Sequence, residues 1–129
     1  MPLRAQLKLL IVDDTSTSRA LLRSGLDELG LTNLAFAVDG ADAIKHINAN
    51  PPNLIISDLN MPNLDGLGLL QAIRSYPPTA KVAFIMLTGN SDKAAFAKAT
   101  QLGVNNYLMK PFTTASLKAS IEAVVGRLQ

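Results

Sequence analysis

Short apolar runs alternate with amphipathic stretches along the chain, and this alternation restricts the fold more than any other feature. Residues 7–12 are apolar except for Lys8 and read as a strand. Ser16 or Thr17 can cap a helix running to about Leu29. Its Leu21, Leu22, Leu26 and Leu29 fall at helical spacing, and Gly30 stops it. Residues 34–38 read as a second strand, and Ala41 to about Asn48 as a helix ended by Pro51-Pro52. Residues 54–58 form a third strand. A loop with Met61-Pro62 and Asp65-Gly66 follows, then a helix from about Leu67 to Ser75, closed by Pro77-Pro78. Residues 82–88 read as a fourth strand, and a helix capped by Ser91 or Asp92 runs to Leu102 before Gly103. Residues 107–109 make a short fifth strand. The last helix spans Thr114 to Arg127, with Leu117, Ile121, Val124 and Val125 as its inner stripe.

Strands that alternate with helices predict an α/β fold, a parallel sheet covered on both faces. Right-handed crossovers leave few topologies. A doubly wound, three-layer sheet in the order 2-1-3-4-5 is the natural candidate. Such sheets bind ligands beyond the carboxyl ends of their strands, at the switch point beside strand 1.

The 129 residues suit one domain, 1–129, with a single good core. Hydrophobic residues make up 48% and charged residues 17%, which excludes a disordered chain. Without cysteine there is no disulfide framework and no thiolate metal site. No apolar run approaches the ~20 residues of a membrane span, and the start lacks the apolar stretch of a secretory signal. The expectation is a cytoplasmic protein with no membrane partner. The net charge is +2 and the basic residues are scattered, so no nucleic-acid footprint is expected.

Chemistry gathers at the strand ends. Strand 1 ends in Asp13-Asp14, strand 3 in Asp58, strand 4 in Thr88, and strand 5 just before Lys110-Pro111. The expected strand order would bring three carboxylates, a hydroxyl and an ammonium to one edge. Two unit charges ~4 Å apart repel by about 4 kcal/mol at an effective dielectric of ~20. Lys110 can neutralise one charge, and a hard divalent cation two more. An all-oxygen donor set points to Mg²⁺ or Mn²⁺ over zinc, and Mg²⁺ prefers to share a phosphate.

The segments Leu10-Ile11-Val12-Asp13-Asp14, Ser57-Asp58-Leu59-Asn60-Met61-Pro62-Asn63-Leu64-Asp65-Gly66, Thr88-Gly89 and Lys110-Pro111-Phe112 resemble the receiver domains of two-component response regulators. The run Asp13-Asp14-Thr15-Ser16-Thr17-Ser18-Arg19 is similar to chemotaxis regulators of the CheY type. Those regulators are themselves an example of the flavodoxin-like 2-1-3-4-5 order. The resemblance covers nearly the whole chain. It implies that Asp58 takes a phosphoryl group from a phosphohistidine of a sensor histidine kinase. It implies Mg²⁺ held by Asp14 and Asp58 directly, by Asp13 through water, and by the backbone carbonyl of Asn60. Lys110 would pair with Asp58 and then with the phosphate, and Thr88 would donate its hydroxyl to the phosphate. The Lys110-Pro111 bond would be cis, aiming Lys110 at the site. Phosphate would draw Thr88 in and let Tyr107 rotate inward, repacking the face of helix 4, strand 5 and helix 5 for a downstream protein such as a flagellar motor switch component. The chain would be a monomeric switch that assists its own phosphorylation and dephosphorylation, not an enzyme in the ordinary sense. It ends soon after helix 5, so output is expected through protein contact.

Some positions depart from the familiar chemotaxis pattern: Gly89 where alanine is common, Asn90 where an acid is frequent, and Thr15 and Leu59 where larger aromatics occur. Each site residue also has a plain reading. Asp13 and Asp14 can be helix caps, Asp58 a turn residue, Thr88 a capping hydroxyl, Lys110 a solvated lysine and Tyr107 a half-buried aromatic. His46 is expected on an exposed helix face, and Met61, Met86 and Met109 as packing residues. Two other functions stay open. A flavin carrier of the same fold could cradle phosphate on the Thr15-Ser16-Thr17-Ser18 loop, although Asp13 and Asp14 would repel it. A receiver could also act by binding alone. An aspartyl phosphatase is disfavoured, because no Asp-x-Asp pattern lies on the first strand.

Overall fold

The computed structural model describes residues 7–89 and 93–126. Five parallel strands form one sheet: β1 Leu9–Val12, β2 Leu34–Ala37, β3 Leu54–Asp58, β4 Ala83–Thr88 and β5 Asn106–Met109. Their order is β2-β1-β3-β4-β5, the order expected. Five helices alternate with them: α1 Ser16–Glu28, α2 Gly40–Ala49, α3 Gly66–Ser75, α4 Lys93–Gln101 and α5 Thr114–Val125.

The strand period of two divides the core. Leu9, Ile11, Leu54, Ile56, Ile85 and Leu87 face one side and pack on Leu22 and Leu26 of α1 and Leu117 and Ile121 of α5. Leu10, Val12, Ile55, Phe84 and Met86 face the other side, against Ala43 and Ile47 of α2, Leu69 and Ile73 of α3, and Ala95 and Ala99 of α4. β1 and β3 are buried along their length. β2 and β5 are edge strands and only partly buried.

Local signals set the helix ends. Thr15, not Ser16 or Thr17, caps α1, its Oγ1 accepting from Ser18 N at 3.3 Å. Gly30 ends α1 in the left-handed region at φ 78°, while Leu31 N reaches back to Leu26 O. Asp39 caps α2, Asp65 caps α3, and Thr113 with Ser116 forms a capping box on α5. A 3₁₀ turn at Pro77–Thr79 follows α3, where the proline pair predicted only a stop. The expected caps of α4, Ser91 and Asp92, lie outside the described residues. α5 stops at Val125 rather than at the expected Arg127, where Gly126 turns the backbone to φ 93°.

Two side chains correct the sequence reading. Leu21 is 59% exposed, so the inner stripe of α1 runs through Leu22, Leu26 and Leu29 alone. Met109 is 44% exposed at the end of the edge strand β5. Among the described residues no helix is long and apolar enough to cross a membrane.

Candidate functional site

Strand register assembles the site. Val12 of β1 lies opposite Ser57 of β3, so the residues that follow, Asp13 just past β1 and Asp58 at the end of β3, stand side by side at the sheet edge. Thr88 ends β4 opposite Met109 of β5, and Lys110 N donates to Thr88 O at 2.8 Å. One carboxylate oxygen from each of Asp13, Asp14 and Asp58 lies within 4.8 Å of the others. Asp13 is fully buried, Asp58 nearly so, and Asp14 faces solvent.

Lys110 stands over the two buried acids. Its Nζ is 3.3 Å from Asp58 Oδ2 and 3.6 Å from Asp13 Oδ2. Ser18 Oγ, from α1, is a third neighbour at 3.5 Å. Burial pushes the Asp58 carboxyl above the usual carboxylate range; Lys110 pulls it down and Asp13 pushes it further up.

Each buried acid has one oxygen held and one turned inward. Thr15 N and Oγ1 donate to Asp13 Oδ1 at 3.0 and 3.2 Å, and Arg19 Nη1 donates to the Asp13 carbonyl at 2.8 Å. Leu59 N donates to Asp58 Oδ1 at 2.9 Å. Gly66 backs the site, because a Cβ there would sit 2.4 Å from Asp58 O. Asp13 Oδ2 is buried and has no hydrogen-bond partner.

These residues fit a small hard cation. Three carboxylates share one ammonium, which faces two of them, every donor is oxygen, and the buried Asp13 Oδ2, without a hydrogen-bond partner, lies among them.

Asp13, Asp14, Asp58 and Lys110 thus come together as expected, and the Lys110-Pro111 bond is cis. Thr88 is buried at the same edge, and Asn60 lies on the exposed loop two residues past Asp58. Tyr107 is not in the cluster. It is half-buried against α4, edge-on to Phe96 at 4.8 Å, with its hydroxyl donating to Phe96 O at 2.7 Å and in contact with Thr100 Oγ1. His46 is part-exposed beside Asp42 on α2. Asn90 lies outside the described residues.

The holding roles of Thr15, Arg19 and Gly66 are not apparent in the sequence reading. A Thr two residues after an Asp is an Asx-turn signal that could have shown Thr15. For Arg19 and Gly66 the sequence holds no comparable signal. The flavin alternative loses its support here, since Thr15 N and Oγ1 are turned onto Asp13 rather than toward a phosphate.

Residues 9–122 match the response regulator receiver domain family, and the chain belongs to it. Its kind within that family is the CheY chemotaxis type. The chain is 49% identical over 129 residues, all of both chains, to a probable chemotaxis protein CheY of Rhizobium etli. It is 39% identical to chemotaxis protein CheY1 of Helicobacter pylori, covering 93% of this chain and 98% of that one. Among solved structures, chemotaxis protein CheY4 of Vibrio cholerae superposes with a TM-score of 0.85 at 27% identity, over 92% of this chain and 98% of the other. The receiver domain of a sensor histidine kinase from Pseudomonas aeruginosa gives 0.84 at 28% identity, over 93% and 98%. That domain was solved with a magnesium ion coordinated in its active-site cleft.

Proposed function

We propose that Asp58 accepts a phosphoryl group from a phosphohistidine of a sensor kinase and that the protein then binds a downstream target, in chemotaxis. The observation that carries this reading is the position of Asp58: nearly buried, one oxygen held by Leu59 N, the other facing Lys110. A carboxylate so oriented presents one oxygen for in-line attack on phosphorus.

Asp14 and Asp58 would hold Mg²⁺ directly, Asp13 through water, and Asn60 by its backbone carbonyl. The ion, when bound, supplies charge neutralisation of the transferring group. Lys110 balances Asp58 before transfer and moves to a phosphate oxygen after it. Thr88 donates to another phosphate oxygen. Thr15 and Arg19 keep Asp13 in place throughout. The Tyr107 ring, packed on α4, links that change to the α4–β5–α5 face, where the target binds. As a switch that biases two states, the protein processes no external product pool.

Intact mass after incubation with Mg²⁺ and acetyl phosphate tests the reading. One phosphoryl adduct is expected, removed by hydroxylamine and absent from Asp58→Asn. An adduct that persists in Asp58→Asn places the acceptor elsewhere.

A further inference from the structure

We propose that Asp39 and Asn63 form a brace that positions the loop carrying Asn60 and thereby sets the Mg²⁺ affinity of the site; this rests on the reading of Asn60 as a metal ligand. The loop leaves β3 after Asp58 and enters α3 at Gly66. Its two ends are fixed at the sheet, with Leu59 N donating to Leu87 O and Gly66 N to Leu59 O, both at 2.9 Å. Among the described residues, two hydrogen bonds tie its middle to the rest of the fold, and both run to the start of α2, at its cap Asp39 and first residue Gly40. Asn63 Nδ2 donates to Asp39 Oδ2 at 2.7 Å, and Gly40 N donates to Leu64 O at 3.0 Å.

Asp39 serves two partners at once. Its Oδ1 caps α2 by accepting from Asp42 N at 2.8 Å, and its Oδ2 reaches the loop. Capping alone needs one oxygen; the second is spent on a residue 24 positions away. Asn63 is the only described non-glycine residue with positive φ, at 66°, a conformation Asn tolerates better than most. The contact beside it is close as well, since a Cβ on Gly40 would lie 2.6 Å from Leu64 O. Asn60 sits three residues before Asn63 on this short loop. A backbone carbonyl can act as a metal ligand only as reliably as its loop is held, and partners outside the ligand set tune metal affinity.

Two substitutions separate the brace from its local duties. Asp39→Ser keeps a hydroxyl able to cap α2 but has no second oxygen for Asn63. Asn63→Gly accepts the positive φ and removes the amide. Mg²⁺ binding to the unphosphorylated protein is measured by calorimetry, and amide exchange of residues 60–65 is followed in EDTA. Each variant is expected to bind Mg²⁺ about tenfold more weakly, the low end for outer partners of a metal site. The double variant should be no weaker than the weaker single. Loop exchange should quicken while the thermal midpoint in EDTA holds within a few degrees. If Asn63→Gly fails to fold, Asp39→Ser decides. Parental Mg²⁺ affinity in the brace variants, beside a loss in Asp14→Asn, overturns the brace. Parental affinity in Asp14→Asn as well means the metal site itself is misread, and the brace falls with it.

Discussion

Lys110 Nζ and Asp58 Oδ2 face each other at 3.3 Å across the carboxyl edge of the sheet, the ammonium only partly withdrawn from solvent and the carboxylate nearly buried. Lys110 comes from the end of β5 and Asp58 from the end of β3, with β4 between them. The pair therefore depends on the whole sheet order. Even so, burial of Asp58 outweighs the attraction of Lys110, and its carboxyl is held above the usual range.

That balance has a sign that can be measured. A carboxyl whose pKa is raised on folding stabilises the fold below its unfolded value, near 3.8, and loses that contribution as pH rises through the folded value. Toward pH 7 without metal that contribution is lost, so the cost of ionising Asp58 opposes folding. Asp58→Asn cannot ionise, so its thermal midpoint in EDTA should exceed the parent's by a few degrees at pH 7, and the gap should close toward pH 4. Asp39 shifts the opposite way, its carboxyl lowered by the Asp42 N–H and then by Asn63. It is common to both proteins and cancels in the difference. A parent more stable than Asp58→Asn at pH 7 would mean that Lys110 outweighs burial.

Metal should reverse the parent's deficit. A ligand that binds only the folded state at ten times its Kd adds about 1.4 kcal/mol. Thermal melts with Mg²⁺ at that level should show the gain in the parent, its loss on adding EDTA, and none in Asp13→Asn. Equal gains in both proteins would remove Asp13 from the site.

The two glycines nearest the site should behave oppositely. At Gly66 a Cβ would meet Asp58 O at 2.4 Å and Met86 Sδ at 2.8 Å. Gly66→Ala should cost about 1–3 kcal/mol by overpacking and slow phosphorylation of Asp58. At Gly89 the nearest atoms to a Cβ are Lys110 Cβ at 3.9 Å and Cδ at 4.0 Å, an ordinary contact. Gly89→Ala should be neutral or stabilising by up to about 1 kcal/mol, with phosphorylation kept. Urea denaturation of both variants, paired with acetyl phosphate labelling, checks the contrast.

Tyr107→Phe removes a hydroxyl that donates to Phe96 O and touches Thr100. About 0.5–1.5 kcal/mol of stability should go with it. Because the hydroxyl ties β5 to α4, the variant should change target binding while leaving the rate of Asp58 phosphorylation unaltered. A changed phosphorylation rate would put Tyr107 in the reaction itself.

Much of this was legible in the chain. Continuous apolar runs marked β1 and β3, and the acids that follow them became neighbours once the strand order was assumed. Gly30 and Gly103 marked helix ends because each ends its helix with a positive φ. What stayed hidden depends on tertiary contact. Leu21 sits at helical spacing beside Leu22, yet spacing alone cannot tell which side of a broad stripe meets the sheet. The hold of Arg19 on the Asp13 carbonyl and the reach of Asp39 to Asn63 join residues that sequence pattern leaves unrelated.

If Asp58 carries the phosphoryl group, reductive trapping locates it there. Borohydride converts an aspartyl phosphate to homoserine, which peptide mass spectrometry locates by residue. After treatment with Mg²⁺ and acetyl phosphate, homoserine is expected at position 58 and nowhere else, and not when Mg²⁺ is withheld. Homoserine at position 13 or 14, or none anywhere despite a phosphorylated protein, would mean that Asp58 is not the acceptor.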